Sequence, residues 1–225
     1  KSIDITKAIK QHFLDIDQDE NLFDTTYENS QARERTQILM DLANKENALL
    51  IGTGDLSEIA LGFSTYNGDH MSMYNINCSI PKTLIKHLLK HYYENYNEST
   101  IVQNILIDII NTPISPELLP TDENNNILQK TEKIIGPYEL HDFFLYHFMK
   151  NNLSFEKIKF LALNGFNGIY NEKLIEASLN VFIKKFFQNQ FKRSSMPDGP
   201  KITEISLSPR GDLKMSSDSS YNSFI

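Results

Sequence analysis

The chain has one cysteine, Cys78, among its 225 residues. A lone thiol excludes an internal disulfide and any multi-cysteine zinc or iron–sulfur site. No apolar run approaches the roughly 18 to 20 residues that a membrane-spanning helix needs. No Gly-Lys-Ser/Thr triplet occurs, so a Walker A loop is absent. Basic residues are in deficit: 22 Lys and Arg stand against 29 Asp and Glu, a net charge of −7 at pH 7. That balance excludes general affinity for nucleic acid, which needs a concentrated basic surface, and leaves room for a local basic pocket. The chain begins at Lys1, with no Met and no signal-type segment. The expectation is a soluble, cytoplasmic piece cut from something longer, with neither membrane nor nucleic acid as a partner.

Apolar residues make up 40% of the chain and charged residues 23%, as in ordinary globular domains. Ile3-Asp4-Ile5 alternates like the end of a strand, and Thr6 is placed to cap a short helix. A helical pattern runs from Glu28 to about Asn47, with Ala32, Leu39, Leu42 and Ala43 on one face. Ala48-Leu49-Leu50-Ile51 is a short apolar run of the kind buried on both faces of a parallel sheet. Gly52 to Asp55 breaks it, and helical spacing resumes over Leu56 to Phe63. This strand–loop–helix unit puts Thr53 to Glu58 at the carboxyl end of a strand, where open α/β sheets bind ligands. Pro81 suits the first residue of the next helix, with Leu84, Ile85, Leu88, Leu89 and Tyr92 as its buried stripe. Another helix is expected over Ile101 to Ile110, then a long loop from Asn111 to Gly136. Helices restart at Pro137, Ser154 and Glu172, the last reaching about Phe191. Residues 216–225 are rich in serine and are expected to fray. The pattern is one α/β domain over residues 1–215, helix-heavy toward its carboxyl half.

Gly52-Thr53-Gly54-Asp55-Leu56-Ser57-Glu58 carries the most chemistry. A glycine-bounded turn before a helix lets backbone N–H groups approach an anion, Thr53 adds a hydroxyl, and Asp55 with Glu58 could face one cavity. A carboxylate there suits Mg²⁺, which takes one or two carboxylates plus substrate phosphates. The same residues also fit a capped helix start, Asp55 as N-cap and Glu58 at N3, and the pattern leaves both readings open. Asn29 to Arg35 holds polar groups that could read a nucleotide, or forms a charged amphipathic face. Phe191-Lys192-Arg193-Ser194, with Pro197-Asp198-Gly199-Pro200 after it, is either a positive lip over an anion or cations drawn to a helix carboxyl end. His87 and His91 have zinc-binding spacing but lack the Glu of a zinc-protease motif, so an exposed helix face is expected. His141 reads as a packing or hydrogen-bonding residue, and Cys78 as a small buried hydrophobe.

Taken in order, these strings resemble the synthetase domain of NAD synthetases. The resemblance runs from about Lys1 to Met215. It is carried by Tyr27-Glu28-Asn29-Ser30-Gln31-Ala32-Arg33-Glu34-Arg35, by Gly52 to Glu58, and by Tyr66-Asn67-Gly68-Asp69-His70-Met71. It continues in Asn77-Cys78-Ser79-Ile80-Pro81-Lys82-Thr83-Leu84, Ile114-Ser115-Pro116-Glu117-Leu118 and Gly136-Pro137-Tyr138-Glu139-Leu140-His141-Asp142. It ends in Phe191 to Ser194 and Ser208-Pro209-Arg210-Gly211-Asp212. The Gly-Pro-Tyr-Glu-Leu-His and Pro-Asp-Gly-Pro elements look like the glutamine-dependent form, which carries a glutaminase domain upstream.

The resemblance implies an α/β, Rossmann-like adenine nucleotide α-hydrolase fold of the N-type ATP pyrophosphatases, its parallel sheet truncated at the N-terminal side. It implies a ligase using ATP, Mg²⁺, deamido-NAD and glutamine-derived ammonia, in a homo-oligomer. Carried over by position, Thr53, Lys82 and Ser115 would contact ATP. Asn29, Arg33, Glu58, Phe63, Asp69 and Lys192 would line the deamido-NAD site, and Glu58 would hold Mg²⁺. Phe63 stands where many relatives have Trp, and Ser115 where Thr is common. The family's Ser-Gly-Gly-x-Asp-Ser loop is missing, since no two of the nine glycines are adjacent. The fragment alone is therefore expected to be inactive and poorly stable. The rival expectation is a non-catalytic nucleotide-binding or assembly module derived from the same fold.

Overall fold

The structure, a computed structural model, describes residues 2–96, 98–112, 132, 135–222 and 224. Helices α1 (Thr6–Asp15) and α2 (Thr25–Lys45) pack on one another ahead of strand β1 (Ile51–Gly52) and helix α3 (Leu56–Leu61). Strand β2 (Tyr74–Asn75) follows, then α4 (Lys82–Asn95) and α5 (Thr100–Asn111), which pack together. The carboxyl half holds α6 (Tyr138–Met149), α7 (Phe155–Gly165), α8 (Glu172–Gln188) and α9 (Gln190–Ser194). The two strands pair in parallel, Ile51 opposite Tyr74 and Gly52 opposite Asn75. The expected loop after α5 falls largely outside the described residues, as does Ser115.

The core lies in the carboxyl half. Helix α8 buries Ile175, Ser178, Leu179, Phe182, Ile183, Phe186 and Phe187, a stripe at three- and four-residue spacing. Helices α6, α7 and α3 pack on this side, adding Leu140, Phe144, Ile158, Leu56 and Leu61. Phe144, Phe182 and Phe186 meet at ring-centroid distances of 5.9 and 5.6 Å. Edge-on or tilted rings at this range add to area burial. Caps fall where the sequence supplies them: Asp24, Ser99, Ser154 and Asn171 each accept an N–H of the helix they precede. Residues 216–222 form no helix or strand, yet Tyr221 packs on the core and Phe224 stacks on Phe187 at 5.0 Å.

Several local expectations fail for one physical reason. Ile3 to Ile5 is not a strand; the Asp4 carboxylate accepts the Thr6 N–H, and Ile5 is the N-cap of α1. The run expected to be buried on both faces is strand only at its end, and Ile51 is 41% exposed and Leu49 60%. The expected stripe of α4 buries no residue, and Leu84, Leu88 and Tyr92 are exposed. Leu39 of α2 is also exposed. Periodicity marks which face is apolar, not whether a second layer covers it. Among the described residues, β1 pairs with β2 alone, and α4 packs with α5, α3 and α6.

The Pro197-Asp198-Gly199-Pro200 turn docks on β2. The Asn75 N–H donates to the Asp198 carbonyl at 2.8 Å, and a Cβ at Gly199 would stand 2.0 Å from the Asn75 carbonyl oxygen and 2.5 Å from Cys78 Sγ. No side chain fits against that backbone. Gly199→Ala is expected to destabilise the fold by about 1–3 kcal/mol, the usual cost of overpacking, read as a lower urea midpoint.

Candidate active site

Helix α3 organises the site, with one cluster at each end. At its start, the Asp55 side chain accepts the Glu58 N–H at 2.9 Å and Glu58 Oε2 accepts the Asp55 N–H at 3.2 Å, a reciprocal capping box. The Leu56 N–H is taken by the Ile80 carbonyl. The N–H groups of Asp55, Leu56 and Glu58 are thus used within the protein. The capped start that the spacing allowed is formed.

The cation of this end is Lys82, the first residue of α4. Its ammonium lies 2.7 Å from Asp55 Oδ2 and 2.8 Å from Glu58 Oε1, and 5.3 Å from the centre of the Tyr138 ring. Asp55 is 2% exposed by side chain and Glu58 27%, so a ligand reaches Glu58 and not Asp55. Thr53 is exposed, just ahead of both. Burial, with the Asp55 charge added, pushes the Glu58 carboxyl up to about 7, although Lys82 opposes it. The two carboxylates in turn hold the Lys82 ammonium above its ordinary range.

The second cluster is at the other end of α3. Gly62 closes the helix in the left-handed region, at φ 64°, and Asn189 Nδ2 donates to the Leu61 carbonyl at 3.0 Å. The Lys192 ammonium donates to the Gly62 and Ser64 carbonyls, each at 2.6 Å. The loop beyond is tied to α2: Thr65 Oγ1 donates to Asn29 Oδ1 at 2.7 Å, and Arg33 Nε donates to the Tyr66 carbonyl at 3.1 Å. Asp69 Oδ1 accepts the Thr65 N–H at 2.8 Å, and a His70 ring nitrogen lies 3.1 Å from the Lys192 carbonyl. Phe63 packs on the core. Asn29, Arg33, Asp69 and Lys192, four of the six residues that the resemblance grouped together, therefore meet around one loop, whereas Glu58, grouped with them, stands with Lys82 at the other end of α3.

Asn75 joins the two ends. A Cβ built on Gly54 would lie 3.4 Å from Asn75 Nδ2 and 3.8 Å from Glu58 Oε2. Asn75 also lines a cavity of about 20 Å³ with Ile59, His70 and Lys192. That volume is little more than one water requires. Asn75 and Thr65 escaped the sequence reading, and Ser57 and His70 were given no role of their own within their motifs, because isolated polar residues carry no periodic signal. Arg193 was grouped with Lys192, but it is buried. Its guanidinium donates to the Ile59, Ala60 and Phe186 carbonyls and to Gln190, so it holds α9 against α3 and α8.

Among the described residues, no three His, Cys, Asp or Glu side chains are arranged to hold a metal ion. His87 and His91 are exposed. His141 is buried, as expected of a packing residue, with a ring nitrogen 2.7 Å from the Ile135 carbonyl, and burial pulls it down to about 4. No helix of the described residues is long and apolar enough to cross a membrane.

Because the folded state holds the Glu58 proton more tightly than the unfolded chain, this group stabilises fully below about pH 4.5. Its contribution is lost as pH rises toward about 7. Lys82 stays charged throughout that window. Glu58→Gln is expected to flatten the fall in stability between these limits, measured as urea midpoints across pH.

A family model described as NAD synthase matches residues 1–193. The glutamine-dependent NAD(+) synthetase of Mycobacterium tuberculosis is 40% identical over 220 residues, covering 89% of this chain and 32% of that protein. The protein of the same description from Aquifex aeolicus is 28% identical over 203 residues, again with 89% and 32% covered. The chain thus spans about a third of the length of the curated relatives it matches. A solved glutamine-dependent NAD(+) synthetase from Cytophaga hutchinsonii superposes with a TM-score of 0.72 at 22% identity, over 97% of this chain and 33% of that one. That likeness is one of fold, and it agrees with the expected truncated Rossmann-like architecture: a small parallel sheet flanked by helices. With most of its length matched by the family model, the chain belongs to the NAD synthase family.

Proposed function

We propose that the chain is the carboxyl-terminal part of a cytoplasmic, glutamine-dependent NAD synthetase, working as a homo-oligomer. The reaction amidates the nicotinate carboxylate of deamido-NAD. A carboxylate is a poor electrophile, so its oxygen first attacks the α-phosphate of ATP, expelling pyrophosphate and leaving an acyl adenylate. Ammonia, delivered from glutamine by an upstream glutaminase domain, then attacks the carbonyl and AMP departs.

One observation supports this reading above the others: a lysine held cationic between two carboxylates, at the carboxyl end of β1, with a second lysine at the far end of α3. Lys82 offsets charge on the ATP phosphates, and Thr53 offers a hydroxyl to the same nucleotide. Ser115, outside the described residues, is the third ATP contact of the proposal. Lys192, with Asn29, Arg33 and Asp69, binds the deamido-NAD side, and Phe63 borders its nicotinate. Glu58 fits Mg²⁺ as the more accessible of the two carboxylates beside Lys82, each of its oxygens having a lone pair left after Lys82 and the Asp55 N–H; phosphates and water would complete the shell. When bound, Mg²⁺ supplies charge neutralisation at the phosphates.

The test is pyrophosphate release by the full-length protein. Release should require deamido-NAD and ATP together, and Lys82→Met should lower it by about 10²-fold, the usual loss for one charge-stabilising group. Release that depends on a different acceptor carboxylate or carbonyl would overturn the assignment.

A further inference from the structure

We propose that Asp142 is a positioning residue for the nucleotide-binding lysine: from α6 it caps the start of α4, and so sets where Lys82 stands. This rests on the role given to Lys82 above. The first N–H groups of a helix have no partner within it and need one from elsewhere. At α4 the N-cap is Pro81, which makes no side-chain cap bond. The caps come instead from two other helices. The Lys82 N–H donates to Ser57 Oγ of α3 at 2.8 Å, and the Thr83 N–H donates to Asp142 Oδ2 at 3.1 Å.

The same carboxylate closes the arrangement. The Thr83 hydroxyl donates to Asp142 Oδ2 at 2.6 Å, and the Ser57 hydroxyl donates to Asp142 Oδ1. Ser57 accepts from Lys82 through its lone pair, so its own hydrogen is free for Asp142. One carboxylate thus pins the starts of α3 and α4 to α6, and α3 and α4 are the helices that carry Glu58 and Lys82. Among the described residues Asp142 makes no ion pair with the Lys82 ammonium, whose partners are Asp55 and Glu58. The two charges still feel one another across the site, but the contacts Asp142 makes are to the backbone of Thr83 and, through Ser57, to that of Lys82. A bond made to an ionised acceptor is roughly twice as strong as a neutral one, which suits a carboxylate to this task.

The measurement is ATP affinity, by calorimetric titration of the full-length protein with ATP, set beside KM for deamido-NAD. Asp142→Ala is expected to weaken ATP binding by about tenfold, with KM for deamido-NAD within about twofold of the parent. Asp142→Asn keeps one acceptor oxygen for Thr83 and should recover most of the loss. In a Lys82→Met background, Asp142→Ala should weaken ATP binding no further, because both changes remove one interaction. Effects that multiply independently, or an equal loss toward both substrates, overturn the inference and leave the role of Lys82 standing. A Lys82→Met protein that binds ATP unchanged overturns the role of Lys82, and this inference with it.

Discussion

The site depends on one ammonium between two carboxylates. Asp55 and Glu58 sit in a single helical turn, and Asp55 is almost wholly removed from water. Two like charges so placed, one desolvated, would each favour protonation. Lys82 lies within 2.8 Å of both and offsets that cost. Breaking such a pair by removing one partner costs about 3–5 kcal/mol, because the remaining charge stays buried. The pair is also a tertiary joint. Lys82 opens α4 and the carboxylates open α3, so the ion pair and the Leu56-to-Ile80 backbone bond fix the two helices together where β1 ends.

The opposite end of α3 uses the complementary charge. Lys192 and Arg193, adjacent in sequence, point to different carbonyls: Lys192 to Gly62 and Ser64 just past the helix, Arg193 to Ile59 and Ala60 within it. Cations near a helix carboxyl end and carboxylates near its start both agree with the direction of its dipole. Arg193 is buried with its guanidinium against backbone carbonyls, and Lys192 is partly exposed; both line the small cavity with His70 and Asn75. Two neighbouring cations thus serve different stretches of backbone, one inside the helix and one in the loop that follows it.

How much of this was legible in the sequence varies by element. The carboxyl-half helices were, because α8 repeats its apolar residues at helical spacing and Ser154, Asn171 and Pro137 punctuate the starts. The grouping of Asn29, Arg33, Asp69 and Lys192 came from the family motifs, and distance along the chain gave no hint of it. The capping box was written in the spacing of Asp55 and Glu58, but nothing local revealed that Lys82, 24 residues past Glu58, would close it. Asp142 appeared in the sequence only as the last residue of the Gly136-to-Asp142 motif. Its role depends on the absence of a cap at Pro81, which is a property of two other helices. The apolar face of α4 was correctly periodic and wrongly assigned to a core, since a pattern cannot state what covers it.

Helix α3 has six residues, too few to be stable by itself, and both ends are locked by side chains from elsewhere. It serves as a spacer of about 9 Å between the cluster around Lys82 and the one around Lys192. Adding or deleting one residue would turn one end by about 100° relative to the other and shift it by about 1.5 Å. Side-chain replacements on its outer face leave that geometry alone. The segment between Asp55 and Gly62 is therefore a length standard, open to spelling changes but closed to insertions.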